Sequence, residues 1–220
     1  MNSGLSDLFR YFIANQEKVL TLVLEHLFLF ALSMGFALVI GILLSIFATR
    51  PGREKTGMLV ISFTGAAQAV PPVAVIALAF LFVGIGAFPS ILALILYSLV
   101  PIVFNTTSGI MSISPDIKEA ARGIGLSKRQ VLFKVSLPVA MPVIMAGVRI
   151  AATINIATAT VASFIGGGGL GDLIFMGLKL YRADIILTGS VLVAILALVI
   201  DVLLKKAGDL IISKGLTGQT

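Results

Sequence analysis

The sequence predicts an all-α, polytopic membrane protein of about five transmembrane helices. Three observations predict it. Of its 220 residues, 58% are hydrophobic and only 12% are charged, against about 25% charged in an ordinary soluble domain. Mean hydropathy is +1.11. The apolar residues also gather into five runs, each near the roughly 20 residues that a helix needs to cross a hydrocarbon core about 30 Å thick. Lipid accepts the apolar surface that such a chain has too few polar residues to cover.

Taken in order, the expected spans are 19–48, with an uninterrupted apolar part from Leu27, then 58–83, 88–113, 135–165 and 185–204. Residues 1–220 read as a single transmembrane domain with no soluble appendage. Ahead of Val19, the residues Leu8, Phe9, Tyr11, Phe12 and Ile13 suit an interfacial helix and suit a surface tail equally. The first twenty residues lack a basic stretch followed by an apolar run and a cleavage site, so no removable signal peptide is expected. The first span would itself direct insertion.

The net charge is +6. A basic balance can indicate nucleic acid, but here the basic residues sit in short loops between apolar runs, which is the membrane pattern. No nucleic-acid partner is expected. Loop one carries Arg50, Arg53 and Lys55; loop three carries Lys118, Arg122, Lys128, Arg129 and Lys134; the tail carries Lys205, Lys206 and Lys214. The opposite side carries Arg10, Lys18, Lys179 and Arg182. The positive-inside bias therefore predicts cytoplasmic loops one and three, a cytoplasmic C-terminus and an external N-terminus. Arg149 falls within the fourth expected span, where it snorkels or pairs with a carbonyl or carboxylate. Glu25 and His26 are expected at the outer interface of the first span.

Several chemistries lack their residues. There is no Cys, which removes disulfides and thiolate metal sites. With one His and no carboxylate pair in the apolar core, neither a metal centre, a cofactor site nor an intramembrane enzyme is expected. A coupled secondary carrier needs acidic residues near the bilayer midplane. None lies centrally in the expected spans, so the energy for any transport is expected from a partner. The stretch Gly166–Gly169 lacks the Gly-Lys-Ser/Thr ending of a phosphate loop and no strand precedes it. It reads as a flexible turn or re-entrant bend, with an outer gate as its candidate role.

Loop three, residues 114–134, is the most informative stretch. Ser114 followed by Pro115 is a helix start, with a capping hydroxyl and then proline at the first helical position. Glu119, Ala120, Ala121 and Arg122 favour helix. Gly123 and Gly125 end it and permit a tight turn. Ser127 with Gln130 three residues on forms a capping box for a second helix. Pro138 and Pro142 should bend that helix where it enters the membrane. A short rigid helix on such a loop suits docking into a partner's groove; as a capped surface loop it would need no partner.

Glu119-Ala120-Ala121, Gly125 and Leu137-Pro138 resemble the EAA motif of binding-protein-dependent ABC importer permeases. The resemblance covers the chain from about Val19 to the end of the fifth span. It implies the type I importer permease fold, with Glu119, Ala120, Ala121 and Gly125 coupling the chain to a cytoplasmic ATPase dimer that performs the hydrolysis. It also implies a second permease chain, identical or homologous, and an external substrate-binding protein. Because the chain stops at Thr220, soon after the fifth span, that binding protein is expected to be separate.

Three further stretches, Gln68 to Pro72, Leu96 to Thr106 and Ile165 to Phe175, resemble the osmoprotectant branch, whose members import glycine betaine, carnitine or choline. A permease for another small solute such as methionine is the alternative, and a coupled secondary carrier is the alternative from another class. Gln68, Asn105, Thr106 and Asn155 are polar residues within expected spans. They are candidates for lining the pathway, and small polar residues also serve helix packing there. Thr107, Thr158 and Thr160 have the same ambiguity. A quaternary ammonium is best held by aromatic faces, Trp above all. With no Trp and three Tyr, no dedicated cage is expected in this chain.

Overall fold

In the computed structural model, residues 3–50 and 52–212 are described; Lys214, assigned above to the basic tail, lies outside them. Ten α-helices account for nearly all of the described residues, and no strand occurs among them. They are α1 (Ser3–Ala14), α2 (Gln16–Ala48), α3 (Glu54–Ala67), α4 (Pro72–Val83), α5 (Ala87–Met111), α6 (Pro115–Gly123), α7 (Lys128–Val131), α8 (Leu137–Ala162), α9 (Gly171–Leu180) and α10 (Ala183–Ile211). Four helical runs are long and apolar enough to cross a bilayer: α2, α5, residues 128–165 and α10.

The expected second span is not one helix. Pro71 and Pro72 divide it into α3 and α4, which meet at a bend of 94°. The cause is local: Pro72 holds Pro71 in an extended conformation (φ −62°, ψ 136°), which a helix cannot use. At about 1.5 Å per residue neither piece reaches 30 Å alone. The described residues thus hold four candidate spans, or five when the bent α3–α4 pair is counted as one. Pro101, by contrast, sits inside an unbroken α5. Pro138 is absorbed by a π-helical turn at Leu132–Ser136, where the Leu137 N–H reaches the Leu132 carbonyl. Residues 128–165 consequently enter the apolar region as one helical run rather than bending off at Pro138.

The chain forms two compact units. One takes in the chain up to Ala37 with Val70–Ser98 and Ala152–Asp201; the other takes in Leu38–Ala69, Leu99–Ala151 and the chain from Val202. In the first, Val19 and Leu22 of α2 pack against Leu170, Leu173 and Ile185, while Leu29 packs against Leu94 and Ala159. Polar side chains hold this unit together as well. Asn155 of α8, 1% exposed, donates to the hydroxyls of Ser33 on α2 (2.8 Å) and Ser98 on α5 (2.7 Å). One amide thereby ties three helices.

His26 is held by the protein itself. Because α2 begins at Gln16, His26 lies well inside the helix, fully buried, with Nε2 3.2 Å from the Ile156 carbonyl. Glu25 is not merely an interface residue either, since its carboxylate accepts the Gly169 N–H at 2.9 Å. Also, α10 runs on to Ile211, so Asp201 lies within the helix rather than near the end of a span closing at 204. Asp201 and Arg149 both have interaction partners.

The glycine-rich stretch differs from the expected flexible turn. The Gly86 N–H donates to the Ile165 carbonyl and the Gly167 N–H to the Ala162 carbonyl. Gly168 and Gly169 have φ of +77° and +88°; a Cβ on Gly168 would stand 2.6 Å from the Glu25 carboxylate, and one on Gly169 would stand 3.0 Å from His26 Nδ1. Gly168 and Gly169 are there because the backbone is pressed against α2, while a Cβ on Gly166 or Gly167 would meet Ile85 or Ser90. The segment is a packed clasp.

Candidate functional site

The candidate site is the basic loop between α5 and α8. The Ser114 hydroxyl accepts the Asp116 N–H at 3.2 Å, with Pro115 at the first helical position. Asp116 in the first turn and Arg122 in the last turn of α6 both complement the helix dipole. At the other end the Leu126 N–H bonds to the Ala121 carbonyl (3.2 Å) and the Gly125 N–H to the Arg122 carbonyl (2.9 Å). That pair is a Schellman motif, which needs a left-handed residue at its turn. Gly125 supplies it with φ +91°. Ser127 and Gln130 then complete a reciprocal capping box, at 2.8 and 3.3 Å, and start α7.

Within α6, the motif residues divide by face. Ala121 is buried against the body of the protein, whereas Glu119 and Ala120 are exposed. Ile117 and Ile124 are exposed too, at 44% and 81%. With Ala120 they follow a 117, 120, 124 spacing, which sets them on one side of a helix. The outward surface of this short helix is thus an apolar stripe edged by Glu119. Ile117 and Ile124 were not among the residues singled out from the sequence. Their spacing was readable, but not which side of α6 faced away.

Lys118 points the other way. Its ammonium donates to the Ile110 carbonyl in the last turn of α5, at 3.1 Å. Partial burial holds this lysine below the usual ammonium range and Arg122 adds to that, while Glu54 of α3 opposes it.

The four candidate pathway residues are scattered. Gln68 is exposed, at the end of α3 beside the proline break. Asn105 is half-buried and turns its amide back onto its own helix, donating to the Pro101 carbonyl at 2.8 Å. Thr106 is fully buried on α5. Asn155 is the three-helix tie already described. Only Gln68 and Asn105 retain accessible surface. The tyrosines are unevenly distributed: Tyr11 and Tyr181 line one open cleft of about 720 Å³ with Asp7, Arg10, Arg182 and Asp184. Arg10 pairs with Asp7 and Arg182 with Asp184, so these carboxylates already have cations beside them. No group of three or more metal-ligating side chains occurs among the described residues.

Residues 20–212 match the family described as the binding-protein-dependent transport system inner membrane component. The chain is 39% identical over 196 residues to the carnitine transport permease protein OpuCB of Listeria monocytogenes, covering 89% of each. It is 38% identical to the glycine betaine/carnitine/choline transport system permease protein OpuCB of Bacillus subtilis (strain 168), again over 89% of each. Against the osmoprotectant import permease protein OsmY of Salmonella typhimurium the identity is 42%, over 89% of this chain and 83% of the relative. Among solved structures, an inward-facing form of the MetNI methionine ABC transporter superposes with a TM-score of 0.77 at 23% identity, covering 89% of this chain and 96% of that one. At that identity the likeness speaks for the fold, which is that of the type I importer permeases. A helical chain with four long apolar runs and one bent helix pair, carrying a capped Glu119-Ala120-Ala121 helix between α5 and α8, belongs to the family of binding-protein-dependent transport system inner membrane components.

Proposed function

We propose that this chain is the permease subunit of an ATP-driven importer for quaternary-amine osmoprotectants such as glycine betaine, carnitine and choline. The observation that carries the substrate class is the identity of 38–42%, along most of the chain, to permeases named for those solutes or for osmoprotectants in general. The methionine transporter is a neighbour in fold at 23% identity. Residues 1–220 act as one transmembrane domain, since the four long helices each run through both compact units. The chain pairs with a second permease chain, and an external binding protein delivers substrate to them. A cytoplasmic ATPase dimer receives α6, through Glu119, Ala120, Ala121 and Gly125, and performs the hydrolysis. Gln68 and Asn105 contribute to the pathway wall.

The chain lies in a bacterial cell membrane with its N-terminus outside and its C-terminus in the cytoplasm. A crossing, rather than a re-entrant, α3–α4 pair supports this. Were the pair re-entrant, loop three would emerge on the side opposite loop one and the two basic loops would be split, against the positive-inside bias. The test is uptake of labelled glycine betaine, carnitine, choline and methionine at high osmolarity, in source cells with and without the gene. Selective loss of quaternary-amine uptake is expected. Loss of methionine uptake alone would overturn the substrate class and leave the importer.

A further inference from the structure

We infer that Lys118 is the positioning residue that ties the coupling helix to the third span, so that α6 and the cytoplasmic end of α5 move as one piece. The inference rests on the importer function proposed above and adds a route for the force.

The tie begins at the end of α5. A helix leaves its last four carbonyls without intrahelical donors. Here the Ser108 carbonyl takes the Ser112 N–H at 2.9 Å, and the Gly109 carbonyl takes the Ser112 hydroxyl at 3.0 Å. Both donors are local. The Ile110 carbonyl is served instead from α6, by the Lys118 ammonium at 3.1 Å. A cation at a helix C-terminus also meets the negative end of the dipole, and a hydrogen bond from a charged donor is stronger than a neutral one. The partial burial of this contact shields it from water.

Lys118 sits between the two motif faces. Its neighbours Ile117 and Glu119 are exposed to any docking partner, while its own side chain turns inward. Force delivered to the outer stripe of α6 therefore has a direct polar path into α5. Segment 112–114 joins the two helices through the backbone, and Ala121 packs inward on the same helix. Lys118 closes the third side of that corner. Glu54, the first residue of α3, acts on the same ammonium, so the corner also faces the helix that follows loop one.

The test uses the complete transporter with its ATPase and binding protein in proteoliposomes. Wild type must first show ATP-dependent uptake; its absence would strike the proposed function rather than the tie. Lys118→Met keeps the length and removes the donor. It should assemble with the ATPase and hydrolyse ATP, yet move several-fold less substrate per ATP, and Lys118→Arg should restore the ratio. Wild-type stoichiometry in Lys118→Met would overturn the tie, and so would failure to bind the ATPase, which would make Lys118 a docking residue. A second measurement does not depend on that variant. The chain has no Cys, so the pair Ser108→Cys and Gly123→Cys can be labelled uniquely within it. Their separation should stay the same between nucleotide-free and nucleotide-bound states; a change would show α6 moving independently of α5.

Discussion

Gly125→Val isolates the backbone requirement of the proposed coupling helix. Gly125 has φ +91°, and a Cβ added there would find nothing within 4 Å, so a substitution meets no clash. What it meets is the left-handed backbone, which costs an L-residue about 1–2 kcal/mol. The conformation cannot relax freely, because the two hydrogen bonds that end α6 depend on it. If the ATPase binds only the capped form, that cost passes into the dissociation constant as about a 5- to 30-fold weakening. Gly123→Ala is the internal control. Gly123 is also open to solvent, but it lies inside α6 without a positive φ. Alanine there should hold or improve binding, since it favours helix by about 0.5–1 kcal/mol. The assay is capture of purified ATPase by permease in nanodiscs across a titration. Equal affinity for the two variants would refute the claim that the turn geometry, rather than mere glycine content, matters.

Three further outcomes are expected. Ile124→Ser should weaken the same capture about 30-fold, because burying such a side chain contributes about 2 kcal/mol; unchanged capture would mean that the apolar stripe stays in water. Gly168→Val should lower the thermal midpoint of detergent-solubilised protein, by the equivalent of about 2 kcal/mol, and reduce uptake in parallel, since its Cβ would press on Glu25. Intact transport in that variant would remove the clasp from the gating machinery. Asn155→Ala should cost about 1 kcal/mol of stability through the two lost serine bonds; a loss of uptake at unchanged stability would instead return Asn155 to the pathway.

Features written in neighbouring residues were legible in the sequence. Ser114-Pro115, the Gly125 turn and the Ser127–Gln130 box each concern residues within a few positions of one another, and the structure forms all three. Composition and run length likewise announced a membrane protein. Less legible was anything decided by what packs alongside. The dipeptide Pro71-Pro72 signalled a disturbance, but not a 94° bend. Pro138 signalled one too, and a π turn absorbed it. Glycines 166–169 looked loose because glycine is permissive; only the nearness of Ile85, Ser90, Glu25 and His26 shows that they are required. Asn155 could not declare itself a tie until Ser33 and Ser98, more than fifty residues away in each case, came within reach.

The brevity of α6 has a consequence for anyone hoping to block such an importer. Nine residues fall short of the roughly 12–15 that let an isolated helix persist in water. This one is formed by its anchorage, with a serine cap at one end, a glycine turn at the other and a lysine pinned to the neighbouring span. A free peptide copied from residues 114–126 would be mostly unstructured and a feeble competitor for the ATPase contact proposed above. A useful mimic would have to import the anchorage as well, by grafting the segment between two fixed helices of a soluble scaffold.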